Sequence, residues 1–85
     1  MPERRITVTT PEGLHARPAA ELVRLARAHG APVRVGVDGG EPVDAAGILG
    51  LMTLGVERGD TVIVTVDGAG AEVLLARIEA LLASA

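Results

Sequence analysis

From Arg5 to Thr9 the chain alternates, with Ile6 and Val8 on one side and Thr7 and Thr9 on the other, the two-residue period of a half-buried strand. Thr10, Pro11, Glu12 and Gly13 interrupt it with turn residues. From Ala16 the spacing changes to Ala19, Ala20, Val23 and Ala26, an apolar helical face that predicts a helix to about His29. Gly30 stands where a left-handed cap belongs, and Pro32 prevents the helix from continuing. Val33, Val35 and Val37 alternate again, and Asp38, Gly39 and Gly40 turn the chain into Glu41–Asp44, a hairpin. Pro42 has no N–H to give a ladder, so that second arm belongs at a sheet edge. Between Ala45 and Val56 the chain is apolar on nearly every side but rich in glycine, which predicts a short, weak helix. Thr61 to Val66 is β-branched, with Val62, Val64 and Val66 on one face, as in a central strand. Ala71, Leu74, Ile78 and Leu81 then recur at helical spacing opposite Glu72, Arg77 and Glu79. The order βαββαβα predicts an α+β fold of two layers, helices on one face of an antiparallel sheet, as a single domain over 1–85.

Composition narrows what such a fold can do. With no cysteine, disulfides, thiolate metal sites and thiol catalysis are excluded, so stability rests on packing. Phe, Trp and Tyr are absent too, so the core is aliphatic and bases have no aromatic platform to stack on. A net charge of -3 with scattered basic residues gives no footprint for a nucleic-acid backbone, and nucleic acid is not expected as a partner. Nothing in the chain has the apolar length of a signal or a membrane span, so no membrane insertion and a cytoplasmic location are expected, with a monomer as the state.

The segment Gly13, Leu14, His15, Ala16, Arg17, Pro18 carries the chemistry, because it sets an imidazole and a guanidinium at the start of the first helix. The first amides of a helix lack intrahelical acceptors and sit at the positive end of its dipole, so those of Ala16 and Arg17 can bind phosphoryl oxygens. Pro18 falls within the first turn, where its missing donor costs nothing and its fixed φ suits helix initiation. A neutral His15 ring offers a nitrogen lone pair for attack on phosphorus, and the planar donor fork of Arg17 matches phosphate oxygens. Gly13 answers a need for positive φ or close approach before the histidine. From the residues alone, His15 is either this nucleophile or an ordinary polar cap or surface residue. His29, near the other end of the helix, reads as structural, favourable beside the C-terminal dipole. About 20 Å of helix would separate the two rings, so no metal site is expected from them, nor any cofactor.

The string Gly13 to Pro18 followed by Ala19 and Ala20, paired with Leu51, Met52, Thr53, Leu54, Gly55, resembles HPr. This is the histidine-containing phosphocarrier family of the bacterial phosphoenolpyruvate-dependent sugar phosphotransferase system (PTS). The resemblance spans the whole chain. It implies an open-faced β-sandwich with sheet order 1-4-2-3, and a phosphoryl group received on His15 Nδ1 from phospho-enzyme I and passed to an enzyme IIA domain, assisted by Arg17. It further implies a docking surface on the second helix, at Ile48, Leu49 and Met52, with Leu51 reading as core. Arg24 and Arg27 are candidate contacts to acidic partner surfaces, or simply a solvated helix face. In many relatives a serine opening the second helix is phosphorylated by a dedicated kinase. The aligning residue here is Gly47, the chain's one serine is Ser84, and no regulatory serine is expected.

Sister branches, nitrogen-related or belonging to dihydroxyacetone kinase, share the same His15 chemistry. A different class, a non-phosphorylated regulatory or ligand-binding module on the same fold, is distinguished by loss of the histidine, which this chain retains. An independent enzyme is disfavoured, since no second base stands near His15 in the sequence and the chain is too small to enclose a substrate.

Overall fold

The computed structural model describes residues 2–83; Ser84 lies outside them. Its elements are β1 (Glu3–Thr7), α1 (Ala16–His29), β2 (Val33–Val37), β3 (Val43–Asp44), α2 (Ile48–Thr53), β4 (Thr61–Val66) and α3 (Ala71–Leu82). The four strands form one antiparallel sheet in the order β1-β4-β2-β3. As the β-branched run foretells, β4 is central: Val62 pairs with Ile6 on one side and Val37 on the other, and Val64 pairs with Arg4 and Val35. Val62, Val64 and Val66 are fully buried together with Ile6, Val8, Val33 and Val35 under the helices. On the opposite face Glu3, Arg5, Thr7, Arg34 and Thr65 leave the sandwich open.

The strand at the start differs from the sequence reading, running Glu3–Thr7 rather than Arg5 to Thr9. Pairing with β4 extends back to Glu3 opposite Thr65, and Pro2 O accepts from the Val66 amide at 3.0 Å. Arg4 occupies a core-facing position there, which breaks the apolar alternation. Its guanidinium escapes burial by reaching Glu79 at 2.9 Å and Glu72 at 3.2 Å on α3. At the other end β4 stops at Thr61, so Val8, though buried, bonds to the turn, its amide to Asp60 O and its carbonyl to the Gly59 amide. The Thr9 amide donates to Leu82 O at 2.9 Å.

The second hairpin arm shortens to Val43–Asp44 at the sheet edge, directly after Pro42. Gly30 caps α1 in the left-handed region at φ 77°. The apolar face of α1 buries Pro18, Ala19, Leu22, Leu25 and Ala26, which corrects the expected face at Ala20, exposed, and Val23, half-buried: the stripe is centred on Leu22 instead. In α3 the buried face is Ala71, Leu74, Leu75, Ile78 and Leu82, which corrects the expectation for Leu81. Three and four residues after Ile78 both lie near the core stripe, and Leu82 takes the interior, leaving Leu81 half-buried toward the start of α1.

Candidate functional site

A tight turn delivers the chain to α1. The Gly13 amide donates to Thr10 O at 2.9 Å, and the buried Thr10 hydroxyl donates back to Gly13 O at 2.7 Å. Gly13 has φ 65°, and a Cβ there would fall 2.4 Å from Val56 O and 2.6 Å from Glu57 Cα. Both reasons for a glycine therefore apply at once, positive φ and close approach. The next amide, Leu14, donates to that same Val56 oxygen at 3.0 Å while its side chain is buried. His15 is thus fixed from below by the segment that follows α2.

His15 is the N-cap of α1, with extended backbone at φ −81° and ψ −175°, and its side chain makes no capping hydrogen bond. The ring is therefore not serving as a cap, and it stands half-buried at the helix end. The first intrahelical bond runs from the Ala19 amide to His15 O at 3.0 Å. Ahead of it the Ala16 and Arg17 amides have no acceptor within the helix and Pro18 has no amide to offer. Arg17 is exposed and stands outside the ion pairs of the described residues, which join Arg4 to Glu72 and Glu79, Arg5 to Asp38, and Arg24 to Glu21. A half-buried imidazole, two open amides and a free guanidinium therefore share one helix end.

They border a shallow depression whose remaining walls are Thr10, Pro11, Pro18, Glu21 and Leu81. Of these five, the sequence places Pro18 in the same segment as His15 and gives the other four no place beside it. Glu21 could have been found, since it lies four residues after Arg17 on the same side of α1; Leu81 comes from the far end of the chain and carries no local signal.

Around the site, Leu51 is 1% exposed whereas Ile48, Leu49 and Met52 are 38%, 79% and 43% exposed, an apolar patch on α2. Gly47 is the N-cap of that helix. Arg27 Nε donates to Ala46 O at 2.9 Å, tying α1 to the segment that opens α2. Arg24 is bonded to Glu21 through Nε at 3.1 and 3.2 Å and also through Nη2. That hydrogen bond holds the Glu21 carboxyl below its ordinary range against an opposing desolvation, with lesser help from the Arg24 charge and, least, from Arg77. His29 Nε2 lies 2.6 Å from Asp67 O, a tether between the end of α1 and the end of β4. Among the described residues no three His, Asp or Glu side chains gather as metal ligands, and no helix is long and apolar enough to cross a membrane.

Residues 2–84 match the family model for the PTS HPr component phosphorylation site. The chain belongs to the HPr family. It is 45% identical over 83 residues to the phosphocarrier protein HPr of Streptomyces coelicolor, covering 98% of this chain and 89% of that protein. Over 78 residues it is 38% identical to the multiphosphoryl transfer protein of Xanthomonas campestris, of which the match covers 9%. Among solved structures, HPr from Bacillus anthracis superposes with a TM-score of 0.87 at 33% identity, covering 95% of each chain. The order β1-β4-β2-β3 with helices on one face is the architecture of these HPr neighbours. Membership places the chain among the HPr phosphocarriers of the PTS, which carry a phosphoryl group rather than act as enzymes in their own right.

Proposed function

We propose that His15 takes a phosphoryl group from phospho-enzyme I, ultimately from phosphoenolpyruvate, and hands it to enzyme IIA domains for sugar uptake in the cytoplasm. The observation that carries this reading is the His15 ring standing uncapped at a helix N-terminus beside an Arg17 with no ion partner. Attack by a ring nitrogen forms the new N–P bond as the donor's bond to phosphorus breaks. The equatorial oxygens meanwhile lie within reach of the Ala16 and Arg17 amides and the Arg17 guanidinium. Such a transfer depends on positioning and charge stabilisation, which a small carrier supplies, and the partner's site completes it. Ile48, Leu49 and Met52 form the apolar centre of the docking surface, where a flexible Met suits more than one partner, with Arg27 beside it through its bond to Ala46 O, whereas Arg24 lies on the α3 side of α1.

The test is incubation with phosphoenolpyruvate and enzyme I, followed by intact-mass measurement before and after acid treatment. One added phosphate, lost in acid and absent in His15→Ala, is expected. No gain in mass with a competent cognate enzyme I overturns the proposal.

A further inference from the structure

Along one side of α1 three charged residues follow at helical spacing: Arg17, Glu21 four residues on, and Arg24 three beyond that. Glu21 shares the depression with His15 and Arg17, so its carboxylate has a guanidinium one turn away on either side. It is committed to one of them. Arg24 Nε reaches both carboxylate oxygens, at 3.1 and 3.2 Å, and Nη2 adds a further bond, while Arg17 takes none. The helix favours this choice, because a carboxylate N-terminal to its cationic partner is the better orientation and the reverse order, Arg17 before Glu21, is the poorer. Arg77 on α3 lines the groove beyond with Arg24 and adds the weakest of the attractions on the same carboxylate.

We infer that Arg24 and Arg77 are positioning residues for phosphoryl transfer, drawing the Glu21 carboxylate down α1 so that Arg17 stays unpaired for the incoming phosphoryl group. The inference rests on the phosphocarrier reading above and deepens it. Released from Arg24 and Arg77, Glu21 has Arg17 as its nearest cation. Its pairing there withdraws the donor fork from phosphate and cancels the positive charge that would otherwise face a dianion. The role assigned to Arg24 differs from a direct contact to a partner protein, since it acts through a carboxylate inside this chain.

The two roles separate with a donor that has no protein surface. Phosphoramidate phosphorylates imidazole as the ring nitrogen bonds to phosphorus and the donor's P–N bond breaks, ammonia leaving with the ring's N–H proton. Labelling of His15, mapped by mass, is followed in the wild type, in Arg24→Met/Arg77→Met, and in that variant carrying Glu21→Gln. The double variant is expected to label about fivefold more slowly at low ionic strength, the size of one surface charge acting on a dianion at close range. The deficit shrinks with added salt. Glu21→Gln is expected to restore the wild-type rate, which the loss of a structural or partner contact cannot do. Equal rates in wild type and double variant, or a slow rate that Glu21→Gln leaves slow, overturn the inference. Enzyme I labelling of the wild type is the separate control, and its absence removes the phosphocarrier reading itself.

Discussion

Gly13 and Val56 are in contact closer than any side chain permits: the Val56 carbonyl receives the Leu14 amide at 3.0 Å, and a Cβ on Gly13 would stand 2.4 Å from the same oxygen. The obstacle is backbone, not the end of a flexible side chain, so it cannot rotate aside. Gly13→Ala therefore breaks the Leu14–Val56 bond or moves the segment after α2, and adds the cost of φ 65° for a residue with a Cβ. A loss of about 2–4 kcal/mol in denaturant unfolding is expected, from positive-φ strain of about 1–2 kcal/mol plus a displaced buried hydrogen bond. Because the same turn sets the His15 backbone, the transfer rate falls with it. Wild-type stability in Gly13→Ala shows that the turn relaxes freely.

Arg17 is exposed and bonded to nothing that holds the fold together, so its replacement separates function from stability. Arg17→Ala is expected to leave the unfolding midpoint unchanged, within about 0.5 kcal/mol, as for surface substitutions generally. His15 phosphorylation by enzyme I should slow by about 10²-fold, the usual scale for removing one charged donor from a transferring group. Arg17→Lys keeps the charge but not the fork and is expected to recover only part of the rate. Stopped-flow or quench-flow labelling measures both; wild-type rates in Arg17→Ala exclude the residue from the mechanism.

Leu49 and Leu51 are two residues apart on α2 and differ from 79% to 1% exposed, so the same change has opposite consequences at the two positions. Leu51→Ala opens a cavity in a closely packed aliphatic core and is expected to cost about 2–5 kcal/mol. Leu49→Ser should be almost silent in unfolding yet weaken phosphotransfer between proteins, seen as a raised KM for enzyme I and enzyme IIA with labelling by phosphoramidate unchanged. Unchanged KM values at both partners take Leu49 out of the docking surface.

The order of elements could be read from the sequence because nearly every apolar period in this chain serves a single sheet face or helix stripe, with Gly30 and Pro42 marking boundaries that the structure keeps. The reading slipped where one side chain satisfies two demands. Arg4 faces the helices while its charge escapes to Glu72 and Glu79, so polarity concealed the first two residues of β1. Leu81 and Leu82 both fit the α3 stripe, and only the packing of the whole chain decides that Leu82 goes inside and Leu81 turns toward His15. At the site, His15 and Arg17 were visible because their chemistry is local to one helix end. The hold of Val56 on Leu14 joins segments far apart in sequence and leaves no trace in either. The Glu21 bond to Arg24 lay within a readable spacing, but the competing spacing to Arg17 was equally readable, and the choice between them is conformational.

Gly47 caps α2 with φ −118° and ψ 122°, an ordinary extended conformation open to any residue, and a Cβ there would meet nothing nearer than Asp44 O at 3.9 Å. Glycine is therefore not demanded by the backbone, unlike at Gly13. Without a hydroxyl at this position, incubation with ATP and the HPr-directed serine kinase is expected to add no phosphate near residue 47. Gly47→Ser supplies both the missing acceptor and an N-cap oxygen that can receive an amide of the first turn, so the variant should fold at least as stably, by a few tenths of about 1 kcal/mol. Labelling of Gly47→Ser but not of the wild type, read by phosphopeptide mapping, assigns the absence of the switch to this single side chain. Labelling of the wild type in this region means that another hydroxyl serves the kinase, the nearest in sequence being Thr53, whose Oγ1 now donates to Gly50 O at 2.6 Å. Labelling of neither chain places the defect in kinase recognition of α2 and its exposed Ile48, Leu49 and Met52 rather than in the missing serine.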